Sequence, residues 1–113
     1  MTYREALELV RTEYETKYLA EHCVSIRTGR TLDGCANFII LLYNTGDEVI
    51  LTDRGHTAEV FDEVPPEKWE DICSRWEGFA FRDYRIVKKF ESLKDVDAFV
   101  DLLETVADTY CPL

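Results

Sequence analysis

A thiol, an imidazole and a carboxylate are the ingredients of nucleophilic catalysis. This chain holds all three: Cys23 or Cys35 as nucleophile, His56 as base and Asp53 as the group that orients it. No local signature surrounds either cysteine, and an unpaired cysteine is commonly a small buried hydrophobe. Metal chemistry has less support, because His22 and Cys23 are adjacent, Cys35 and His56 lie far apart, and no CxxC or HxxxH pair is present. Phosphate-cradling glycine motifs, GxSxG and HExxH are missing as well. The expectation is a protein without catalytic residues, metal or cofactor.

Asp53 and His56 belong to VILTDRGHTAEVF, residues 49–61, where a run of β-formers ends in Thr52-Asp53-Arg54-Gly55-His56-Thr57. A turn needs glycine where φ is positive, a short polar residue that accepts local backbone hydrogen bonds, and a threonine able to cap a following helix. Gly55, Asp53 and Thr57 meet those needs. Arg54 and His56 are surplus to the turn and stand as the contact candidates, since loops often carry function.

A second class of candidate is acidic. Glu59, Asp62, Glu63, Glu67, Glu70 and Asp71 are opposed only by Lys68, and Asp95, Asp97, Asp101, Glu104 and Asp108 have no basic residue between them. Such faces are usually solvated surface, but spaced carboxylates can also imitate a phosphate backbone and occupy a basic channel on another protein. The chain carries 13 Lys+Arg against 23 Asp+Glu, a formal net charge of -10, which opposes direct binding to nucleic acid or anionic membrane. The exception is FAFRDYRIVKKF, where Arg82, Arg85, Lys88 and Lys89 interleave with Phe79, Phe81, Tyr84 and Phe90 in the manner of a single-strand binding surface. Lysine and arginine on an edge strand equally serve to block sheet-to-sheet association.

The elements that must position these residues follow from periodicity. Tyr3, Ala6, Leu7, Val10, Tyr14 and Tyr18 predict an amphipathic helix over residues 3–18. Strands are expected near Val24 to Thr28, Phe38 to Asn44 and Glu48 to Thr52, the last two joined through NTGD. A short helix in TAEVFDEV is stopped by Pro65-Pro66, and Pro66 suits the first turn of the next, whose face is Trp69, Ile72, Cys73 and Trp76. FAFRDYRIVKKF reads as one strand, with Tyr84, Ile86 and Phe90 on one side and Arg85, Val87 and Lys89 on the other. Ser92 and Asp95 resemble a capping box before a helix faced by Val96, Phe99, Val100, Leu103, Val106 and Tyr110. The order α-β-β-β-α-α-β-α defines an α+β fold, a small antiparallel sheet of three to four strands packed by N-terminal and C-terminal helices. At 113 residues and 46% apolar content, a single domain over residues 1–113 is expected. The start MTYREALELV lacks the pattern of a signal peptide, and no apolar run is long enough to span a bilayer. With four cysteines and no close pairing, reduced thiols in a soluble cytoplasmic protein are the expectation.

The stretch FIILLYNTGDEVILTDRGHT resembles the domain-of-unknown-function family 1828, short proteins of bacteria and their phages. The matching features are the aliphatic strand through Ile39 to Tyr43, the turn at Gly46-Asp47, and Leu51-Thr52-Asp53 with Gly55. The likeness runs from about Cys23 to about Val106 and includes a closing helix like VDAFVDLLETV. Family members often carry a second acidic residue where Arg54 stands, so this chain lacks their paired-acid corner. The resemblance implies an α+β fold and a phage or mobile-element setting rather than a reaction. Small acidic phage proteins are often inhibitors of host enzymes or defence systems.

Together these readings point to a non-enzymatic protein-binding module that docks on a basic host protein, such as a nucleic-acid-binding or defence enzyme. Its expected contacts are Glu59, Asp62, Glu63, Glu67, Glu70, Asp71, Asp97 and Asp101, with Arg54 and His56. The alternative is a small ligand-binding domain or enzyme with its site at the Asp53-Arg54-Gly55-His56 corner.

Overall fold

The computed structural model describes residues 1–29 and 38–110; Gly34, Cys35 and Cys111 lie outside them. Helix α1 (Tyr3–Arg11) starts at a full capping box. Thr2 Oγ1 accepts from the Glu5 amide at 3.1 Å, and the Thr2 amide donates back to Glu5 Oε1 at 3.1 Å. Hydrogen bonds to the Glu5 carboxyl from the Thr2 amide first, and then from the Thr2 side chain, hold it below its ordinary pKa. The helix stops at Arg11 instead of running to residue 18. The Thr12 hydroxyl donates to the Leu9 carbonyl at 2.7 Å, the amides of Glu13 and Tyr14 both bond back to Val10, and the chain turns away.

Residues expected in that helix instead form strand β1 (Glu15–Ala20), which pairs antiparallel with β2 (Cys23–Arg27) across a two-residue turn. Tyr18, placed by spacing on a buried face, is 71% exposed. The local helical pattern loses here because β2 has a free edge that residues 15–20 can satisfy through backbone hydrogen bonds. Strands β3 (Ile40–Asn44) and β4 (Val49–Thr52) follow as the expected hairpin, with the Thr45 amide bonded to the Glu48 carbonyl at 2.9 Å and Gly46 at φ +99°.

After the short α2 (His56–Val60) comes α3 (Pro66–Ser74), which carries proline at its first turn as expected. FAFRDYRIVKKF is two strands, not one: β5 (Phe79–Arg82) and β6 (Arg85–Lys89). Asp83 and Tyr84 both take positive φ, +52° and +64°, and close a tight hairpin whose handedness suits twisted strands. Helix α4 (Leu93–Tyr110) ends the fold. The sheet thus has six strands rather than three to four, all pairs antiparallel, in the order β1-β2-β3-β4-β6-β5.

Register divides the sheet into two unlike faces. Val24, Leu42, Leu51, Lys88 and Phe79 lie across one row, with Ile26, Ile40, Val49 and Ile86 on the same side. The helices cover this face: Ala6 and Val10 of α1 and Val96, Phe99, Leu102 and Leu103 of α4 share one buried core with it. Phe79 packs on Phe99 with ring centroids 5.3 Å apart, and Trp69 of α3 stacks on Phe81 at 6.2 Å. Of the expected faces, Trp69 and Cys73 of α3 and Val96, Phe99, Leu103 and Val106 of α4 are buried, Ile72, Val100 and Tyr110 are half-buried, Trp76 lies past the end of α3, and Leu102 and Ala107 join the α4 stripe. No helix among the described residues is long and apolar enough to cross a membrane.

Candidate functional site

The TDRGHT corner is a turn held by one carboxylate. Asp53, 1% exposed, accepts from the amides of Gly55 (2.9 Å) and Ile86 (3.0 Å) on Oδ1 and from Thr57 (3.2 Å) on Oδ2. It ties the end of β4 to the first turn of α2 and to β6. The capping role expected of Thr57 therefore belongs to Asp53, while Thr57 lies buried within the helix. Arg54 and Gly55 are both left-handed, at φ +59° and +81°, and the His56 amide closes the turn on the Asp53 carbonyl at 3.1 Å. Gly55 is required twice over, since a Cβ there would lie 3.1 Å from the Tyr84 carbonyl oxygen.

This use of Asp53 takes it out of any catalytic triad, because both of its oxygens are committed to backbone amides. Nor does the fold bring the other members together. Cys23 lies on the helix-free face near Arg54, whereas His56, half-buried, lines a separate depression with Thr16, Ile26, Phe38 and Ile39. His56 Nε2 is buried without a hydrogen-bond partner among the described residues. Burial pushes the Cys23 thiol up despite the nearby Arg54, and pushes Cys73 up to about 12, with Asp53 adding to the effect. A raised thiol is a poor nucleophile at neutral pH.

The acidic candidates lie on the helices. Glu59, Asp62, Glu63, Glu67, Glu70, Asp97 and Asp101 are exposed. Asp71 departs from the rest, being half-buried and paired with Arg75 at 2.9 Å and Lys68 at 3.6 Å. Asp97 accepts a hydrogen bond from the Tyr14 hydroxyl at 3.1 Å. Among the described residues, Glu59, Asp62, Glu63, Glu67, Glu70 and Asp101 have no cation within 4.0 Å.

The interleaved basic and aromatic stretch is taken apart by the hairpin. Phe79 and Phe90 are buried in the core, and Lys88 turns to the helix side, pairing with Asp95 at 3.2 Å and lying 5.3 Å from the Phe79 ring centroid. Arg82, Arg85 and Lys89 go to the other face. That face, which the sequence did not single out, carries Cys23, Leu41, Tyr43, Ile50, Thr52 and Val87, with Arg54 beside them. Its signal was present in the alternation of β3 and β4, but those strands are apolar on both sides and periodicity could not tell which face helices would cover.

No protein-family model, curated protein or solved structure matches this chain.

Proposed function

We propose that this protein is a non-enzymatic binding module whose helical side docks on a basic surface of another protein and occludes it. The observation that carries the reading is the row of exposed carboxylates on and around α2, α3 and α4 that lack cationic partners among the described residues. Unpaired carboxylates give the protein long-range attraction for a cationic patch and little internal stability in return. The resemblance to family 1828 supports a phage or mobile-element setting, in which the basic partner would be a host enzyme acting on nucleic acid or a defence protein. A cytoplasmic location follows from the same reading.

The test reverses charge at two places. Glu67→Lys with Glu70→Lys changes α3, and Asp97→Lys with Asp101→Lys changes the far end of α4. Asp97 lies about 20 Å along the helix from Tyr110, the residue that contacts α3 through Trp69. Affinity capture from host lysate should lose its partner in one or both double variants while their thermal unfolding stays cooperative. A partner retained by both would remove the acidic side from the account. For the captured partner, the association rate should fall as salt rises.

The corner reading retains one supporting observation. Arg54 projects onto the helix-free face, so any ligand contact it makes belongs there and not to a triad with His56.

A further inference from the structure

The face of the sheet that no helix covers among the described residues is a groove with an apolar floor and ends of opposite predominant charge. Leu41, Ile50, Val87 and Cys23 make a floor in which each residue is no more than 8% exposed, and Tyr43 (41% exposed) and Leu19 (42%) stand open beside it. The cavity over them measures about 680 Å³. At one end stand Arg54, Arg82 and Arg85, with the single carboxylate of Asp83 among them, and at the other Asp47 and Glu48 of the β3–β4 turn. The strand register fixes this polarity: β6 runs antiparallel to β4, so Arg85 at the start of β6 comes beside the end of β4, where Arg54 follows.

Three features separate this face from ordinary surface. The molecule has a net charge of -10, yet six of its 13 basic residues, Lys17, Arg27, Arg54, Arg82, Arg85 and Lys89, project to this side. Arg54, Arg82 and Arg85 are exposed and none has a carboxylate within 4.0 Å among the described residues, although Asp83 lies in the same hairpin. Finally, Arg54 holds a left-handed backbone that arginine disfavours, which places its guanidinium at the groove at the expense of stability.

We propose that this groove binds an extended peptide segment of a partner protein, aliphatic at its centre, acidic where it meets the three arginines and basic where it meets Asp47 and Glu48. The distance from Glu48 to Arg54 along β4 is about 20 Å, which spans roughly six or seven extended residues. Aliphatic side chains lie over the floor against Tyr43 and Leu19, and carboxylates form forked hydrogen bonds with guanidinium groups. A nucleic-acid strand is a poorer match, because its phosphates would run into Asp47 and Glu48 and, among the described residues, only Tyr43 beside the floor offers a ring for stacking. An anionic membrane meets the same acidic end.

The surface is distinct from the acidic helical side, so the two readings succeed or fail separately. The probe is a set of fluorescein-labelled seven-residue peptides with lysine at one end, four aliphatic residues and two glutamates at the other, in both chain directions. At physiological salt the wild type should bind members of the set saturably. Chemical-shift changes should centre on the amides of Tyr43, Ile50, Arg54 and Val87. The Arg82→Glu, Arg85→Glu double variant, whose changes are confined to exposed positions, should bind about tenfold or more weakly. Replacing the peptide's glutamates by lysines should restore binding to that variant. Absence of saturable binding across the set, equal affinity for the double variant, or tighter binding of oligothymidylate or laurate would each overturn the proposal.

Discussion

Asp53 and its neighbour Arg54 sit side by side and serve opposite ends. Asp53 satisfies three backbone amides that would otherwise be buried without partners, two of them nearby in sequence and one on β6. Asp53→Ala should therefore destabilise the protein by about 4 kcal/mol in urea unfolding, well beyond an ordinary surface change. Arg54 does the reverse, because its backbone is strained and its side chain has no ion-pair partner among the described residues. Arg54→Gly should stabilise by about 1 kcal/mol in the same assay, while weakening peptide binding at the groove. An Arg54→Gly variant less stable than wild type would mean that the side chain supports the fold. The turn chemistry of this corner was legible from Asp53 and Gly55. The reach of Asp53 to the Ile86 amide was not, because a contact 33 residues away leaves no local pattern.

Elements show the same division. Helix α4 begins where Asp95 accepts from the amides of Glu91 and Ser92, the latter at 2.9 Å, and pairs with Lys88. Burial tends to raise the Asp95 carboxyl, but the two amides and the Lys88 ammonium outweigh it and hold the group below its ordinary value. A depressed carboxyl adds stability above its unfolded pKa of about 3.9 and loses it as pH falls through the lower, folded value. Asp95→Asn should thus cost about 3 kcal/mol at pH 7, with the gap to wild type narrowing below pH 4. A gap independent of pH would assign the effect to packing. The Ser92–Asp95 signature announced this helix start, and proline announced that of α3. The β1 strand and the β5–β6 hairpin went unread for different reasons. Tyr14 and Tyr18 matched a helical spacing by chance, and a turn at Asp83-Tyr84 lacks the glycine that usually marks one.

On the scale of the whole molecule, charge is sorted by face. Among the described residues, the helical side carries Glu59, Asp62, Glu63, Glu67, Glu70 and Asp101 without ion-pair partners, and the sheet side carries Arg54, Arg82 and Arg85 without them, with Asp47 and Glu48 at the far end of the groove. With a net charge of -10, self-repulsion should be partly screened by salt. The thermal midpoint should rise by a few degrees, roughly 1 kcal/mol, between 10 and 200 mM sodium chloride at pH 7. A fall would show that the surface ion pairs, such as Arg27 with Glu15 at 3.2 Å, outweigh the repulsion.

Composition and periodicity by themselves determined the α+β class, the acidic surface, the β3–β4 hairpin and the apolar faces of α3 and α4. These rest on interactions within a few residues of chain or on sums over all of it. Only the tertiary structure decided that residues 15–20 extend the sheet, that Asp53 is committed to backbone amides, and that Cys23 and His56 lie apart. It also decided which apolar face of β3 and β4 the helices cover. Two faces of a strand that are both apolar are equivalent to local physics, and the choice between them is made by the helices that pack on one and leave the other beside its arginines.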